Sequence, residues 1–426
     1  MRRDVVISGL GSVTGFGYGA EALWEGLCAG RSAVRRIERF DPSGMPCQVG
    51  AEVVGFSAKD HVPKTYRKAV KVMARDIELA VGAAKAAVEY AGIYTKGLPS
   101  SNGQKATYAP RRVGCQIGAE LIAAEIPELT MAFATATNED GSFDYGVWGE
   151  TGMNNLTPLW LLKYLPNMPS CHFTIIHEAC GPSNTITCGE ASGLLSIGES
   201  MRVIERGDAD LCFSGGAESK INEMGLLRMD FAGRVAPIVV GKDEPFDGTS
   251  IARPFDLDSP GGAVGEGGGI VLVEARDALR DRGGKVVASL LGFGAGHSPR
   301  SADARVRAEG LVSAIERAMN EAGAGPDDID AIVPHGAGVR DVDAEEAEAL
   351  RAVFGSSLSK IPLVTWCGAV GETMAGTGGI ATCVGAMCLE RQTLPARFHA
   401  GTWPDDLDVG PVPTRSATLR RLLVCT

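Results

Sequence analysis

The sequence predicts an α/β protein built from two similar halves packed together, and three observations predict it. The chain has 426 residues, more than one simple core holds at roughly 150 residues per domain. Its 56 glycines point to many tight turns and close backbone approaches, as layered α/β folds require. A plan of buried strand, loop and helix recurs loosely in both halves, with strands apolar enough to be covered on both faces.

In order along the chain, Val5 to Leu10 reads as a buried strand entering a glycine-rich loop, Gly11-Ser12-Val13-Thr14-Gly15. A helix is expected from about Ala20 to Ala29, closed by Gly30. Lys64 to Tyr90 is amphipathic, and Asn102 to Arg112 is a polar loop before the strand Val113 to Gly118. Asn138 to Pro169 is less regular and holds Trp148, Trp160, Leu161, Leu162 and Tyr164, which suit a cap or an interface. Short strands are expected around Ile175-Ile176 and Ile186, then a helix from Ala191 to Glu205. Leu211 to Ser214 reads as a strand ending in Gly215-Gly216-Ala217-Glu218. The second half repeats the plan: strand Val286 to Leu291, loop Gly292-Phe293-Gly294, helix Val306 to Ala322, and strand Ala331-Ile332-Val333 before Pro334-His335-Gly336.

Composition removes several classes of function. A net charge of -11 argues against a nucleic-acid surface, which needs excess Lys and Arg. An acidic carrier protein remains compatible, through local clusters such as Arg111-Arg112 or Lys64 to Lys71, although each cluster also suits a solvated helix face. Eleven cysteines without CxxC pairs indicate neither a zinc site nor a disulfide framework, and no cofactor is expected. No signal peptide and no apolar run of about 18 residues is visible, so no membrane span is expected and a reducing cytoplasm is the expected compartment.

The most informative segment is Gly181-Pro182-Ser183-Asn184-Thr185-Ile186-Thr187-Cys188-Gly189-Glu190-Ala191-Ser192-Gly193. A strand running directly into a helix through small residues exposes the junction side chain at the helix N-terminus. Backbone N–H groups and the helix dipole favour an anion there by roughly 0.3–1 kcal/mol. In a cysteine enzyme this geometry lowers the thiol pKa; here it is expected to hold the Glu190 carboxylate.

Over nearly its whole length the chain resembles the β-ketoacyl-acyl-carrier-protein synthase family. The marks are Gly9-Leu10-Gly11-Ser12-Val13-Thr14, Arg39-Phe40-Asp41, Gly207-Asp208-Ala209-Asp210, Ser214-Gly215-Gly216-Ala217-Glu218 and Arg253-Pro254-Phe255-Asp256. Gly265-Glu266-Gly267-Gly268-Gly269 and Val271-Leu272-Val273-Glu274 complete the set. The resemblance implies a thiolase-like fold, two similar α/β halves in a five-layer αβαβα arrangement. The halves are expected at 1–275, with a cap at about 119–170, and at 276–426.

Family condensing enzymes carry a Cys-His-His set, which this chain matches in part. The nucleophilic cysteine is expected where Glu190 stands. Cys188 and Cys180 lie off that position and read as buried packing cysteines. The first histidine matches His335; the second is replaced by Glu372, and the family lysine falls near Cys367. His61, His172, His177, His297 and His399 match no family catalytic position and read as structural. Leu422 to Thr426 stands about where the family's last strand leads into a glycine- and phenylalanine-rich loop, so the second half reads as stopping short of that loop.

Two functional readings follow from the resemblance. In the first, the chain is similar to the chain-length factors (β subunits) of type II polyketide synthases, which also lack the cysteine. Gly336-Ala337-Gly338-Val339, Asp343, Glu346, Ala347 and Val353-Phe354-Gly355 look more like that subfamily. It then pairs with a sister ketosynthase as a heterodimer, with a homodimer as the alternative assembly, and meets an acyl carrier protein or acyl-CoA. In the second, Glu190, His335 and Glu372 form an acid–base set for decarboxylation, hydrolysis or cyclisation of a carrier-bound or CoA-bound acyl chain. A solvated or paired pair of carboxylates in a vestigial pocket is the bland alternative.

Overall fold

A computed structural model describes residues 2–426 apart from 243 and 400. The first half is organised on a sheet in the order β1 (Val5–Thr14), β5 (Val264–Ala275), β4 (Leu211–Ser219), β2 (Val113–Gly118) and β3 (Ser183–Ile186). β5 runs antiparallel to β1 and β4, whereas β4, β2 and β3 are mutually parallel. Short strands at Gly17–Tyr18, Arg35–Arg36 and Val49–Ala51 extend this sheet.

The second half contributes β6 (Ala288–Leu290), which pairs antiparallel with the start of β1, and β7 (Ala331–Val333), which pairs parallel with β8 (Leu422–Val424). The halves meet through a central helical layer of α4 (Ser192–Glu205) and α8 (Thr377–Arg391). On the outside lie α2 (Arg75–Ala91) against the first sheet, and α6 (Ala304–Ala322) packed with α7 (Arg340–Phe354) on the second half. This layering is the five-layer α/β arrangement expected above.

Glycine sets the layer spacing. A Cβ on Gly11 of β1 would lie 2.0 Å from the Ala83 carbonyl oxygen of α2, and one on Gly193 of α4 would lie 2.9 Å from the backbone of α8. These contacts explain two departures from the sequence reading. Gly11 to Thr14 continues β1, and Gly215 to Glu218 continues β4, because their glycines pack flat against helices or neighbouring strands instead of turning the chain. A third departure is α3 (Met168–His177), which holds Ile175 and Ile176 in a helix. There Phe173 and Ile176 face the core while Ile175 is exposed, a one-sided burial that a pair of β-branched residues does not reveal.

The segment expected to cap or pair carries helices at Ile126–Ala136 and Tyr145–Glu150 and exposes Met131, Phe133, Tyr145, Leu159 and Leu161. Among the described residues no helix is long and apolar enough to cross a membrane.

Candidate functional site

β3 leads through a short turn at Gly189–Ala191 into α4, and Gly189 takes φ 55° to make the turn. The expectation that the junction N–H groups hold Glu190 is not met. Gly189 donates its N–H to Oε2 of Glu120 at 2.7 Å, and Cys188 donates to Oγ of Ser192 at 2.8 Å. Glu190 instead turns its Oε1 to the guanidinium of Arg234, an ion pair in which both side chains are largely withdrawn from solvent. Arg234 follows α5 (Glu223–Phe231), where the chain reverses at Gly233 with φ 67°.

His335 leaves the end of β7 in a bend that Gly336 makes at φ 53°. The N–H groups of His335 and Gly336 donate to the two carboxylate oxygens of Glu346 on α7, at 2.8 and 2.9 Å, which fixes the bend. Asp343, one helical turn earlier, accepts from the N–H groups of Phe255 and Gly338. Glu372 is stitched to the start of β5: its N–H donates to Ala263 O at 2.7 Å, and its carbonyl accepts from Gly265 at 2.8 Å. Its Oε2 lies 2.6 Å from Nε2 of His335. Its Oε1 accepts from the Met374 N–H and the Thr377 hydroxyl, each at 2.9 Å.

The three sequence-predicted positions therefore converge, and Arg234 joins them. Its Nη2 faces Glu190 and lies 3.6 Å from Oε2 of Glu372, so a cation sits between two carboxylates beside a buried imidazole. Burial by itself would lower the pKa of His335, but the Glu372 charge and hydrogen bonds with Cys367 and Glu372 outweigh it and raise the value well above the ordinary 6.5. Burial would likewise raise Glu372, yet His335, Arg234 and Thr377 hold it well below the usual carboxylate range. Burial lowers Arg234, and Glu190 and Glu372 reverse the shift upward. The site therefore holds an imidazolium–carboxylate pair at neutral pH.

His335, Cys367 and Glu372 bring one donor atom each within 4.8 Å of one another. As metal ligands they fit poorly. Both Glu372 oxygens are already hydrogen-bonded, a guanidinium stands beside them, and burial pushes the Cys367 thiol up to about 11.

Cys180 and Cys188 are exposed, contrary to the packing role expected of them, because the segments flanking β3 carry both outward. His172 and His177 are buried against Tyr66 and Thr95 with pKa values lowered by burial to about 4. His399 is also buried, and His61 stacks between Tyr18 and Phe56, so these four lie in packed surroundings. His297 is exposed at the rim of a cavity of about 600 Å³ that reaches Cys188 and Glu190.

Sequence reasoning missed Arg234, Glu120 and the positioning role of Glu346. Only Arg234 had a usable signal: two carboxylates brought into a buried pocket beside a histidine demand a compensating cation.

The comparisons agree with this architecture. The sequence profile of the beta-ketoacyl synthase N-terminal domain matches residues 2–278, and that of the C-terminal domain matches residues 287–400. A 3-oxoacyl-[acyl-carrier-protein] synthase 2 of Staphylococcus aureus is 26% identical over 418 residues, covering 98% of this chain and 93% of its own. The enzyme of the same name from Coxiella burnetii is 27% identical over 420 residues, covering 98% and 94%. Among solved structures, the ishigamide ketosynthase/chain length factor is similar with a TM-score of 0.78 at 24% identity, over 99% of this chain and 95% of that one. A beta-ketoacyl synthase from Burkholderia phymatum gives 0.79 at 23% identity, over 98% and 94%. A type II PKS acyl-carrier protein in complex with its ketosynthase bound to the hexaketide gives 0.76 at 19%, over 100% and 96%.

Proposed function

From the premise that this chain belongs to the β-ketoacyl synthase family, we propose that it is a non-condensing partner subunit, similar to a chain-length factor. It would work in the cytoplasm beside a sister ketosynthase in polyketide or fatty-acid-type biosynthesis. One observation carries this reading: the junction side chain is a carboxylate, Glu190, held by the Arg234 guanidinium. A carboxylate so engaged is a poor acceptor from a thioester, and the anhydride it would form hydrolyses. β3 supplies a surface for pairing, since it is an edge strand of the first sheet with Ser183 and Asn184 exposed. The likeness to a ketosynthase/chain length factor and to a ketosynthase in complex with its acyl-carrier protein supports a sister subunit and a carrier protein as partners.

Co-expression with a candidate sister ketosynthase tests the proposal. A stable heterodimer that makes longer carrier-bound products, read by intact-protein mass spectrometry, is expected. Purification as a homodimer with no affinity for that ketosynthase overturns it.

A second reading has its own support. The His335–Glu372 pair at 2.6 Å, with Arg234 between two carboxylates, is an acid–base set able to act on a carrier-bound or CoA-bound acyl chain by decarboxylation, hydrolysis or cyclisation. Loss of the malonyl carboxyl group from malonyl-carrier protein with this chain alone would favour it. Unchanged activity in Glu190→Gln would remove Glu190 from the mechanism.

A further inference from the structure

A second buried ion pair stands behind the turn that follows Glu372. Glu218, near the end of β4, is 0% exposed, and its Oε1 pairs with the ammonium of Lys220, which is 4% exposed. Asp76 of α2 and Glu120 stand beside Glu218. A buried pair of this kind gains little over apolar side chains of the same volume, because desolvating two charges offsets most of their attraction. Stability alone therefore gives no reason for a carboxylate at residue 218. Its second oxygen gives one: Oε2 accepts from the Ala375 N–H at 2.9 Å.

That N–H belongs to a turn under constraint. Thr373 to Gly376 joins Glu372 to α8 and is closed by the Gly376 N–H, which donates to the Thr373 carbonyl at 2.9 Å. Within it Met374 takes φ 46°, in the left-handed region that a residue with a side chain rarely adopts. Packing leaves the turn little room to shift. A Cβ on Gly216 of β4 would lie 2.2 Å from the Ala375 carbonyl oxygen, and one on Gly376 would lie 2.7 Å from the Gly267 carbonyl oxygen of β5. Two consecutive N–H groups of the turn point at buried carboxylates: Met374 donates to Oε1 of Glu372 and Ala375 to Oε2 of Glu218, each at 2.9 Å. The first bond helps to turn Glu372 so that its Oε2 meets His335 at 2.6 Å. The second holds the backbone that supplies the first.

We propose that Glu218 is a positioning residue: by holding the Ala375 N–H it keeps Met374 in the conformation whose own N–H orients Glu372 toward His335, with Lys220 as the counter-ion that lets this carboxylate stay buried. Reach and charge are separable here. The Ala375 bond needs an acceptor at the full length of a glutamate side chain, because the backbone of the turn is fixed. The Lys220 pair needs only a negative charge, because the ammonium sits on a flexible four-carbon stem and can follow it. Glu218 acts in this way whether the chain serves as a partner subunit or as an acid–base enzyme.

Two variants separate the two properties. Glu218→Asp keeps the charge and draws the acceptor back by one methylene. Glu218→Gln combined with Lys220→Met removes both charges and keeps an acceptor at full reach. The full chain is labelled for NMR in its histidine ring nitrogens, His335 is assigned by the signal lost in His335→Gln, and its titration is followed from about pH 6 to 9. His172, His177 and His399 stay neutral over this range, their pKa values lowered by burial to about 4. Glu346, Asp343, Cys367 and Arg234, the other charged or titratable groups around the His335–Glu372 pair, are unchanged in both variants, as are Asp76 and Glu120. In Glu218→Asp, His335 is expected to titrate at least about one pH unit lower than in the wild type, because Glu372 is no longer held against the ring. In the double variant it should titrate within about 0.3 of the wild type. A merely structural ion pair predicts the reverse, since only the double variant loses it. The reverse order, equal shifts in both variants, or no shift in either would overturn the proposal. A wild-type His335 that titrates at or below 6.5 would overturn the imidazolium–carboxylate pair together with the proposal. Should Glu218→Asp not fold, hydrogen exchange decides: the Met374 and Ala375 amides are expected to be protected in both the wild type and the double variant, and exposure of either amide in the double variant overturns the positioning role.

Discussion

Replacing Glu372 by glutamine removes one charge from the site and almost no volume. In the wild-type protein the carboxylate bonds His335 at 2.6 Å, accepts from Met374 and Thr377, and lies 3.6 Å from Arg234. The amide is shape-compatible, but the buried imidazolium loses its counter-ion and Arg234 loses one of two. Breaking a buried pair by removing one partner costs about 3–5 kcal/mol. The low end, about 3 kcal/mol, is expected here, because the amide oxygen can still accept from Met374 or Thr377. The pH dependence follows from the two shifts. His335 is raised above 6.5, so its contribution is complete below 6.5 and is lost as pH rises through its folded value. Glu372 is depressed below 4.5, so its contribution is complete above 4.5 and is lost as pH falls through its folded value. The pair therefore contributes fully between 4.5 and 6.5. In Glu372→Gln, burial of His335 is no longer offset by the carboxylate its ring bonds, so the variant loses further stability as pH falls below 6.5. Urea denaturation of both proteins across this range and up to about pH 9 reads the difference, with circular dichroism and tryptophan fluorescence compared because two halves need not unfold together. A difference below about 0.5 kcal/mol near pH 6, or one that grows toward pH 9, would refute the imidazolium–carboxylate pair.

A double-mutant cycle on Glu190→Gln and Arg234→Gln should give a coupling of only about 1 kcal/mol in thermal or urea unfolding, since the pair is partly hydrated. Coupling near zero would mean that the Glu190–Arg234 contact does not persist in solution. Glu190→Cys places a thiol beside Arg234, so its pKa should fall below the ordinary value of about 8.5 and iodoacetamide should modify it faster than Cys188 at pH 7. Mass spectrometry of tryptic peptides checks this, and slower modification than at Cys188 would contradict the geometry. Gly11→Ala should cost about 3 kcal/mol or reduce soluble yield, because the added methyl meets the Ala83 carbonyl on a rigid helix. A stability within about 0.5 kcal/mol of wild type would show that β1 and α2 can separate.

What was legible in the sequence depended on how locally each feature is determined. The buried strands at Val5, Val113, Leu211 and Ala331 were readable because covering both faces demands an unbroken apolar run. The end of the first, Gly11 to Thr14, was misread as a loop and the Leu211 strand was ended too early at Ser214, since a glycine that avoids a helix and a glycine that turns the chain look alike in sequence. Glu190, His335 and Glu372 were singled out from flanking motifs, and the structure brings them together, Glu190 through Arg234. Their chemistry was not legible. A helix N-terminus was expected to hold Glu190, yet Glu120 takes the Gly189 N–H and Glu190 pairs with Arg234, a residue from a distant loop. Electrostatics explains the difference. Glu372 is buried with His335, and a second carboxylate in the same pocket is tolerated only if a cation enters with it. The Glu190 carboxylate is thus one half of a pair whose other half is Arg234, and the two must be altered together to recover a neutral junction. That coupling, more than the identity of residue 190 alone, sets the charge balance of this pocket.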